Sequence, residues 1–325
     1  MLTKEERRRK IELRHRLFEP RTIAEREQNI HNFATAEEVG VFLALAGKDH
    51  RKYFHYTHLD ALLSMLKSGR FNLTRADRLN DLKEFGRLAL RSTSYVASFG
   101  SSALENVAMW WMYGLNGKED DEARIPIRLE FSGKALQQLT AKLACSVAQD
   151  KCGVGPVLRS DGSRVSSVRS VSLHDMLYQR AVAGGTGKVG KHWNGAVSWN
   201  GLVANDTRCR AFENACEALP GLVKDAGWSY ENETRLTIRL PPEDASVSES
   251  ISIPFATVLR TVRIVVGPGR GSEKQYSDAI GRIANAMKTK ELEGVSDWAA
   301  RIQPSQYKIK FTTGKTKRKT KRHAS

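Results

Sequence analysis

The 325-residue chain has no run of about 18 apolar residues, so no segment reads as a membrane-spanning helix and no membrane partner is expected. Its basic start is not followed by an apolar core, so it does not read as a secretory signal. Four cysteines are too few for a disulfide framework, and a reducing, cytoplasmic compartment is the expectation. Their spacing, Cys145…Cys152 and Cys209…Cys216, is wider than structural zinc prefers, and no histidine lies close by. Buried free thiols are expected there, and no metal site. A Gly-x-Ser-x-Gly elbow is missing. The near P-loop Gly185-Thr-Gly-Lys-Val-Gly-Lys191 runs into His192 where Ser or Thr would hold Mg²⁺. Gly267-Pro-Gly-Arg-Gly271 lacks the dinucleotide spacing and reads as a plain strand–turn–helix connection.

Acid is scarce at both ends. Lys315, Lys317, Arg318, Lys319, Lys321 and Arg322 have no acidic neighbour, and Arg7, Arg8, Arg9, Lys10, Arg14 and Arg16 face only Glu5, Glu6 and Glu12. Over the chain, 52 Lys and Arg stand against 36 Asp and Glu, a net charge of +16. Such ends suit a polyanion through counterion release, so a nucleic acid, RNA or DNA, is the expected partner; the plainer alternative is a solubilising tail. At 40% hydrophobic residues spread along its length, the chain is not a disordered linker.

Residues 3–47 read as helical, with Thr3 and Glu6 as a capping box. Residues 53–57 read as an aromatic strand. A helix follows at Asp60–Ser68, with Leu62, Leu63 and Leu66 on its apolar face and Gly69 as its C′ residue. Strands are predicted at 71–74, 94–99, 125–131, 170–178, 234–240, 250–254, 262–266 and 306–311, and helices at 103–112 and 274–289. Residues 181–203, rich in Gly, Asn and Trp, read as a surface loop. A helix-rich first half and a strand-rich second half point to an α+β fold rather than regular βαβ alternation.

The most informative segment is Trp228-Ser-Tyr-Glu231-Asn-Glu233-Thr-Arg235-Leu-Thr-Ile238. On a strand, Glu231, Glu233 and Arg235 share one face, while Leu236, Ile238 and Leu240 turn to the core. A solvated outer face would explain the charges. A cleft strand would too, because a carboxylate beside a like charge and an Arg has a tunable pKa. In Tyr53-Phe-His55-Tyr56-Thr57-His-Leu59, His55 and Thr57 share a face and each can hydrogen-bond a ribose hydroxyl or an amide. Asn80-Asp81 with Glu84, Ser98-Phe99 and Met109-Trp110-Trp111-Met112-Tyr113 are the remaining pieces. Their aromatic rings suit either core packing or stacking on a flat ligand.

Taken in order, these blocks resemble an uncharacterised bacterial domain family. It shares a Tyr-rich first strand, a helix ending in Gly, Asn-Asp…Glu, Ser-Phe, Met-Trp-x-x-Tyr, a hydrophobic strand, Trp-x-Tyr-Glu-x-Glu-x-Arg, and Gly-Pro before a helix. Here they are Tyr53–Leu59, Leu62–Gly69, Asn80-Asp81…Glu84, Ser98-Phe99, Met109–Tyr113, Ile125–Phe131, Trp228–Arg235 and Gly267-Pro268, spanning roughly residues 52–311. That family is similar in layout to ADP-ribosyltransferases, including toxins and anti-phage effectors that modify nucleic acid. The resemblance departs at His55, where the family carries Lys or Arg, and no Ser-Thr-Ser motif is present.

The resemblance implies an ADP-ribosyltransferase-like split mixed β-sheet core with flanking helices over residues 51–312. A helical extension (1–50) precedes it and a basic tail (313–325) follows. It implies NAD as the cofactor, Glu233 as the catalytic carboxylate and Glu231 as its helper. His55, Tyr56, Thr57, Ser98, Trp110, Tyr113 and Arg235 would hold NAD, with Arg235 pairing Glu231 or the pyrophosphate. A toxin or phage-defence effector acting on RNA or DNA, with an antitoxin partner, is the implied role. An NAD glycohydrolase, a protein-directed transferase and a non-enzymatic nucleic-acid-binding module are the alternatives.

Overall fold

The structure is a computed structural model and describes residues 2–18, 36–79, 82–85, 88–115, 124–146, 155–179, 219–245, 248–268, 273–287 and 299–307. The near P-loop, the 181–203 loop, Asn80, Asp81, Cys152, Cys209, Cys216 and the basic tail lie outside the described residues.

Among the described residues the first elements are two helices, α1 (Lys4–Phe18) and α2 (Ala36–Asp49). Thr3 and Glu6 form the expected reciprocal cap, each backbone N–H donating to the other's side chain at 2.9 and 3.1 Å. Next come β1 (Lys52–His58), α3 (Leu59–Ser68), β2 (Arg70–Arg75), α4 (Leu88–Thr93) and β3 (Ser94–Gly100). A single turn, α5 (Val107–Met109), runs into a π-helical turn at Trp110–Gly114. It is followed by β4 (Pro126–Ser132), α6 (Gly133–Ser146), β5 (Leu158–Arg159), β6 (Ser170–Asp175), β7 (Leu177–Gln179) and β8 (Val223–Asp225). The last elements are β9 (Glu233–Arg239), α7 (Pro242–Ala245), β10 (Ser250–Pro254), α8 (Ala256–Leu259), β11 (Arg263–Val266), α9 (Glu273–Ala286) and β12 (Ile302–Pro304).

The fold is mixed α/β: one ten-stranded mixed sheet with flanking helices, and a separate β7–β8 pair. The sheet order is β12-β11-β4-β1-β3-β2-β10-β5, with β9 pairing β3 and β6 pairing β9. All ladders in it are antiparallel except β11 with β12. β3 is the branch point. One of its edges is covered along its whole length by β9, from Ser94 opposite Arg239 to Gly100 opposite Glu233. The other edge is shared: Gly100 faces Phe54 of β1, while Tyr95 and Val96 face Arg75 and Thr74 of β2. Between these contacts the sheet is split, and β1 and β2 diverge.

Alternation sends Tyr53, Phe71, Leu73, Tyr95, Phe99, Leu129, Phe131, Leu236 and Ile238 into the main core, beneath buried leucines of α3 and α6. Burying each such side chain contributes roughly 1.5–3 kcal/mol. Phe54, Tyr56, Met109, Trp110 and Val265 form a second cluster, on the other face of the sheet. Gly69 ends α3 in the left-handed region (φ 63°), its N–H bonding the Met65 carbonyl. Among the described residues, no helix is long and apolar enough to cross a membrane.

Several local expectations need correction. Asp60 lies inside the first turn of α3, whose N-cap is His58. The helix expected at 103–112 begins only at Val107. Asn106 caps it by accepting from the N–H groups of Ala108 and Met109, which holds the preceding residues out of the helix. A strand forms at Ile302–Pro304, where a parallel ladder sets Ile264 against Ile302; of the strand predicted at 306–311, residues 308–311 lie outside the described residues. Cys145, expected to be buried, is exposed on α6.

Candidate active site

β9 enters the site at Glu233, and the period of two puts Glu233 and Arg235 on one face. Glu231 reaches the same place by another route. It ends a 3₁₀ turn (Ala226–Glu231), and Asn232 then takes a positive φ of 43°, a region Asn tolerates better than most residues. The three charges therefore do not share one strand, as the sequence spacing suggested.

Lys224 on β8 joins the two carboxylates. Its Nζ donates to Glu231 Oε2 at 2.6 Å and to Glu233 Oε2 at 3.1 Å, and lies 3.8 Å from Glu84 Oε1. Arg235 grips Glu233 with two parallel bonds, Nε to Oε1 at 2.8 Å and Nη2 to Oε2 at 3.1 Å. Its Nη1 donates to Glu84 Oε2 at 2.6 Å and to the Gly221 carbonyl at 3.2 Å. The Ser98 hydroxyl donates to Glu233 Oε1, and the Tyr113 hydroxyl to Glu231 Oε1 at 2.6 Å. The Glu233 N–H donates to the Tyr178 hydroxyl oxygen at 2.7 Å. Glu84, Lys224, Glu231, Glu233 and Arg235 are all buried. Gly221 has φ 75°, and a Cβ on it would sit 2.5 Å from the Phe85 ring beside Glu84.

Three carboxylates thus share two cations without solvent, and their acidities divide. Burial pushes the Glu233 pKa up, but Arg235, Lys224 and the Ser98 hydroxyl outweigh it and hold the carboxyl at about 2. At Glu84 burial wins over the same two cations, helped by repulsion from Glu233, and its pKa is raised. Burial also raises the Tyr113 phenol, as does the Glu231 charge beside it. A carboxylate offers about four acceptor positions. Glu233 fills four, with Ser98, Lys224 and both Arg235 bonds, whereas Glu231 accepts from Tyr113 and Lys224.

The half-buried His55 fills the split in the sheet. Its Nδ1 is 3.0 Å from the Ser98 carbonyl oxygen, and its ring stands edge-on to Phe71. A carbonyl only accepts, so Nδ1 carries the proton, and Nε2 of the neutral ring is left as an acceptor. Burial lowers its pKa, against the hydrogen bond to Ser98, and so favours that neutral form. His55 lines a cleft of about 360 Å³ with Met65, Arg70, Phe71, Asn72 and Ser252.

The structure brings Glu84, Ser98, Tyr113, Glu231, Glu233 and Arg235, drawn from four separate blocks of sequence, into one cluster. It does not place His55 and Thr57, which share a face of β1, on the side of that cluster. Phe54 lies in the cross-strand row of Gly100 and Glu233, so the next residue, His55, points to the opposite face. Ser98 connects the two sides, its carbonyl bonded to His55 and its hydroxyl to Glu233. Of the two partners expected for Arg235, Glu231 or a pyrophosphate, the first is not taken: Arg235 pairs with Glu233 and Glu84. Trp110 is fully buried and packs as core. It stands edge-on to Tyr56 at 4.9 Å, and its Nε1–H bonds Glu105 at 3.1 Å. Gly267 permits this, since a Cβ there would come within 2.5 Å of the indole. The Tyr56 hydroxyl is engaged as well, accepting from the Asn106 N–H at 3.0 Å. Lys224 and Tyr178 had no signal in the sequence, being single residues whose partners are far along the chain or across a turn.

No family model, no curated protein and no solved structure matches this chain.

Proposed function

We propose that the protein is an NAD-dependent ADP-ribosyltransferase with an ADP-ribosyltransferase-like split sheet, acting on a nucleic acid as a toxin or phage-defence effector. The observation that carries this reading is the Ser98 bridge. It ties a neutral His55, with an open acceptor nitrogen, to a carboxylate pair across a split in the sheet. Breaking the nicotinamide–ribose bond builds positive charge on the ribose, as in glycoside hydrolysis, and a fixed carboxylate stabilises that charge. Of the pair, Glu231 retains acceptor capacity for a ribose or acceptor hydroxyl. Glu233, ionised and held by four donors, orients Lys224, Ser98 and Arg235. The division reverses the roles implied by the resemblance. His55 Nε2 would accept from a ribose hydroxyl in the adjoining cleft. A substrate reaches the buried Glu231 by displacing the Tyr113 hydroxyl.

The test is release of nicotinamide from labelled NAD in the presence of RNA, DNA or protein. Label is expected on RNA or DNA. Glu231→Gln is the clean variant, because Lys224 keeps Glu233 as its partner, and a loss of roughly 100-fold or more is expected. No nicotinamide release by the unaltered protein would end the enzymatic reading.

One observation favours a second reading, a non-enzymatic nucleic-acid-binding module: both carboxylates are buried and ion-paired, as in a structural charge cluster. Nucleic-acid binding without any turnover of NAD is its signature.

A further inference from the structure

A group of four cations facing a cavity lies away from the Glu231–Glu233 cluster. A recess of about 350 Å³ is lined by Arg51, Lys52, Arg263 and Arg301, with Glu130 as its one carboxylate and the buried Phe131 and Val262 among its walls. Pockets of roughly 300–1,000 Å³ hold nucleotide-sized ligands. Glu130 is already engaged by Lys52 and lies 4.0 Å from Arg263 Nη1. The charge of the recess therefore stays strongly positive.

Its position follows from the strand registers. Arg263 pairs across to Glu130, Glu130 to Phe54, Phe54 to Gly100 and Gly100 to Glu233. Residues directly opposite in a ladder project from the same face of the sheet. Arg263 and Glu233 thus lie in one row on one face, four strand steps apart, or about 19 Å. Trp228 and Tyr230, half-buried and with ring centroids 6.1 Å apart, stand on the turn that leads into Glu231. A basic recess at one end of a row and aromatic faces at the other is how proteins hold single-stranded nucleic acid, backbone in the charge and bases on the rings.

We propose that Arg51, Lys52, Arg263 and Arg301 bind backbone phosphates of a single-stranded nucleic acid whose other end reaches the Trp228–Glu231 turn, passing outside the buried Phe54 and Gly100 that form the middle of the row. The proposal names the acceptor's docking site and rests on the transferase reading only for what happens to that strand afterwards. It differs from binding by the basic tail alone, because it assigns phosphate contacts to the folded sheet. Among the described residues, none of the exposed large hydrophobics (Ile11, Val41, Leu104, Val107 and Tyr307) lines the recess as the apolar anchor a membrane surface would use.

The test is binding of the full chain to a 20-nucleotide oligo-U, followed by fluorescence anisotropy over a salt series without NAD. Arg51→Gln/Arg263→Gln, two exposed positions, should weaken binding and flatten the log–log salt slope by about 1.4, or about 0.7 for each lost phosphate contact on a single strand. Glu130→Gln should act in the opposite sense and tighten binding a few-fold. A thermal melt shows that each variant is folded. Retention of the full slope by the folded double variant would overturn the proposal, with Lys315–Arg322 then carrying the contacts. So would capture of phosphatidylserine vesicles in place of the oligonucleotide. If the slope flattens but the unaltered protein releases no nicotinamide, the phosphate site stands and the transferase reading falls. If nicotinamide is released and the slope is unchanged, the reverse holds.

Discussion

Two charged regions lie on one face of the same sheet and are built on opposite terms. Around Glu233, five charges from β8, β9, the 3₁₀ turns and the segment before α4 are dry and mutually paired. Around Arg263, four cations and one carboxylate line a recess, and Arg51, Lys52 and Arg263 are exposed. The first region has satisfied its charges internally and can offer little to a ligand beyond the spare acceptor sites of Glu231. The second gathers more cations than carboxylates along a recess. Burial, rather than charge itself, decides whether a side chain holds the fold or recruits a partner.

Breaking the dry region should have the largest effect. Arg235→Leu leaves Glu84 and Glu233 buried with Lys224 as their only cation, and unpaired buried charge costs about 3–5 kcal/mol. Arg263→Leu, in the same sheet face, should change stability by no more than about 0.5 kcal/mol. Urea unfolding of the two variants makes the comparison directly. Equal destabilisation would show that the cluster around Glu233 is wetter than its geometry implies.

Acid should attack the same region next. The Glu233 pKa is depressed to about 2 from its ordinary 4.5, so its contribution is fully present above pH 4.5 and is lost as pH falls from 4.5 toward 2. At about 1.4 kcal/mol per unit, that is about 3 kcal/mol; Glu84, whose pKa is raised, works in the opposite direction and in the window above pH 4.5. The slope of stability against pH in this window should be positive and should shrink in Glu233→Gln. A variant with the same slope as the parent would place the acid sensitivity elsewhere. His174 acts at higher pH. Burial beside Lys48 and Arg239 lowers its pKa to about 4, so it costs stability as pH falls from 6.5 toward 4 and must be separated from the Glu233 window.

The sequence made local features legible and left pairings obscure. The Thr3–Glu6 cap, the Leu face and Gly69 stop of α3, and the strands at 53–57 and 250–254 depend on neighbours within a few residues, so spacing alone located them. The carboxylate pair was found for a partly mistaken reason. Strict alternation from Glu231 to Arg235 is broken by the left-handed Asn232, yet the turn returns Glu231 to Lys224. No local pattern could show that Glu84 meets Arg235 across 151 residues, or that His55 points away from Glu233. The aromatic run at Met109–Tyr113 left packing and stacking both open. Tertiary contact divided it: Trp110 became core, while Tyr113 was turned onto Glu231 by the π-helical turn.

The smallest expected effect belongs to a single pair and tests the comparison most closely. Lys52 and Glu130 make an ion pair as Lys224 and Glu233 do, and Glu130 lies in the same cross-strand row as Glu233. Sequence and chemistry alone would rate the two pairs alike. The Lys52 side chain, however, is 51% exposed, against 9% for Lys224. In water the two ions are already well solvated, and the pair gains at most about 1 kcal/mol after the entropy of fixing two flexible side chains. Lys52→Gln, Glu130→Gln and their double variant should therefore form a cycle with a coupling under about 1 kcal/mol, falling toward zero at high salt. A coupling several times larger and insensitive to salt would mean that the recess is as dry as the cluster around Glu233. Its cations would then belong to the fold, and the contrast between the two ends of the row would fail.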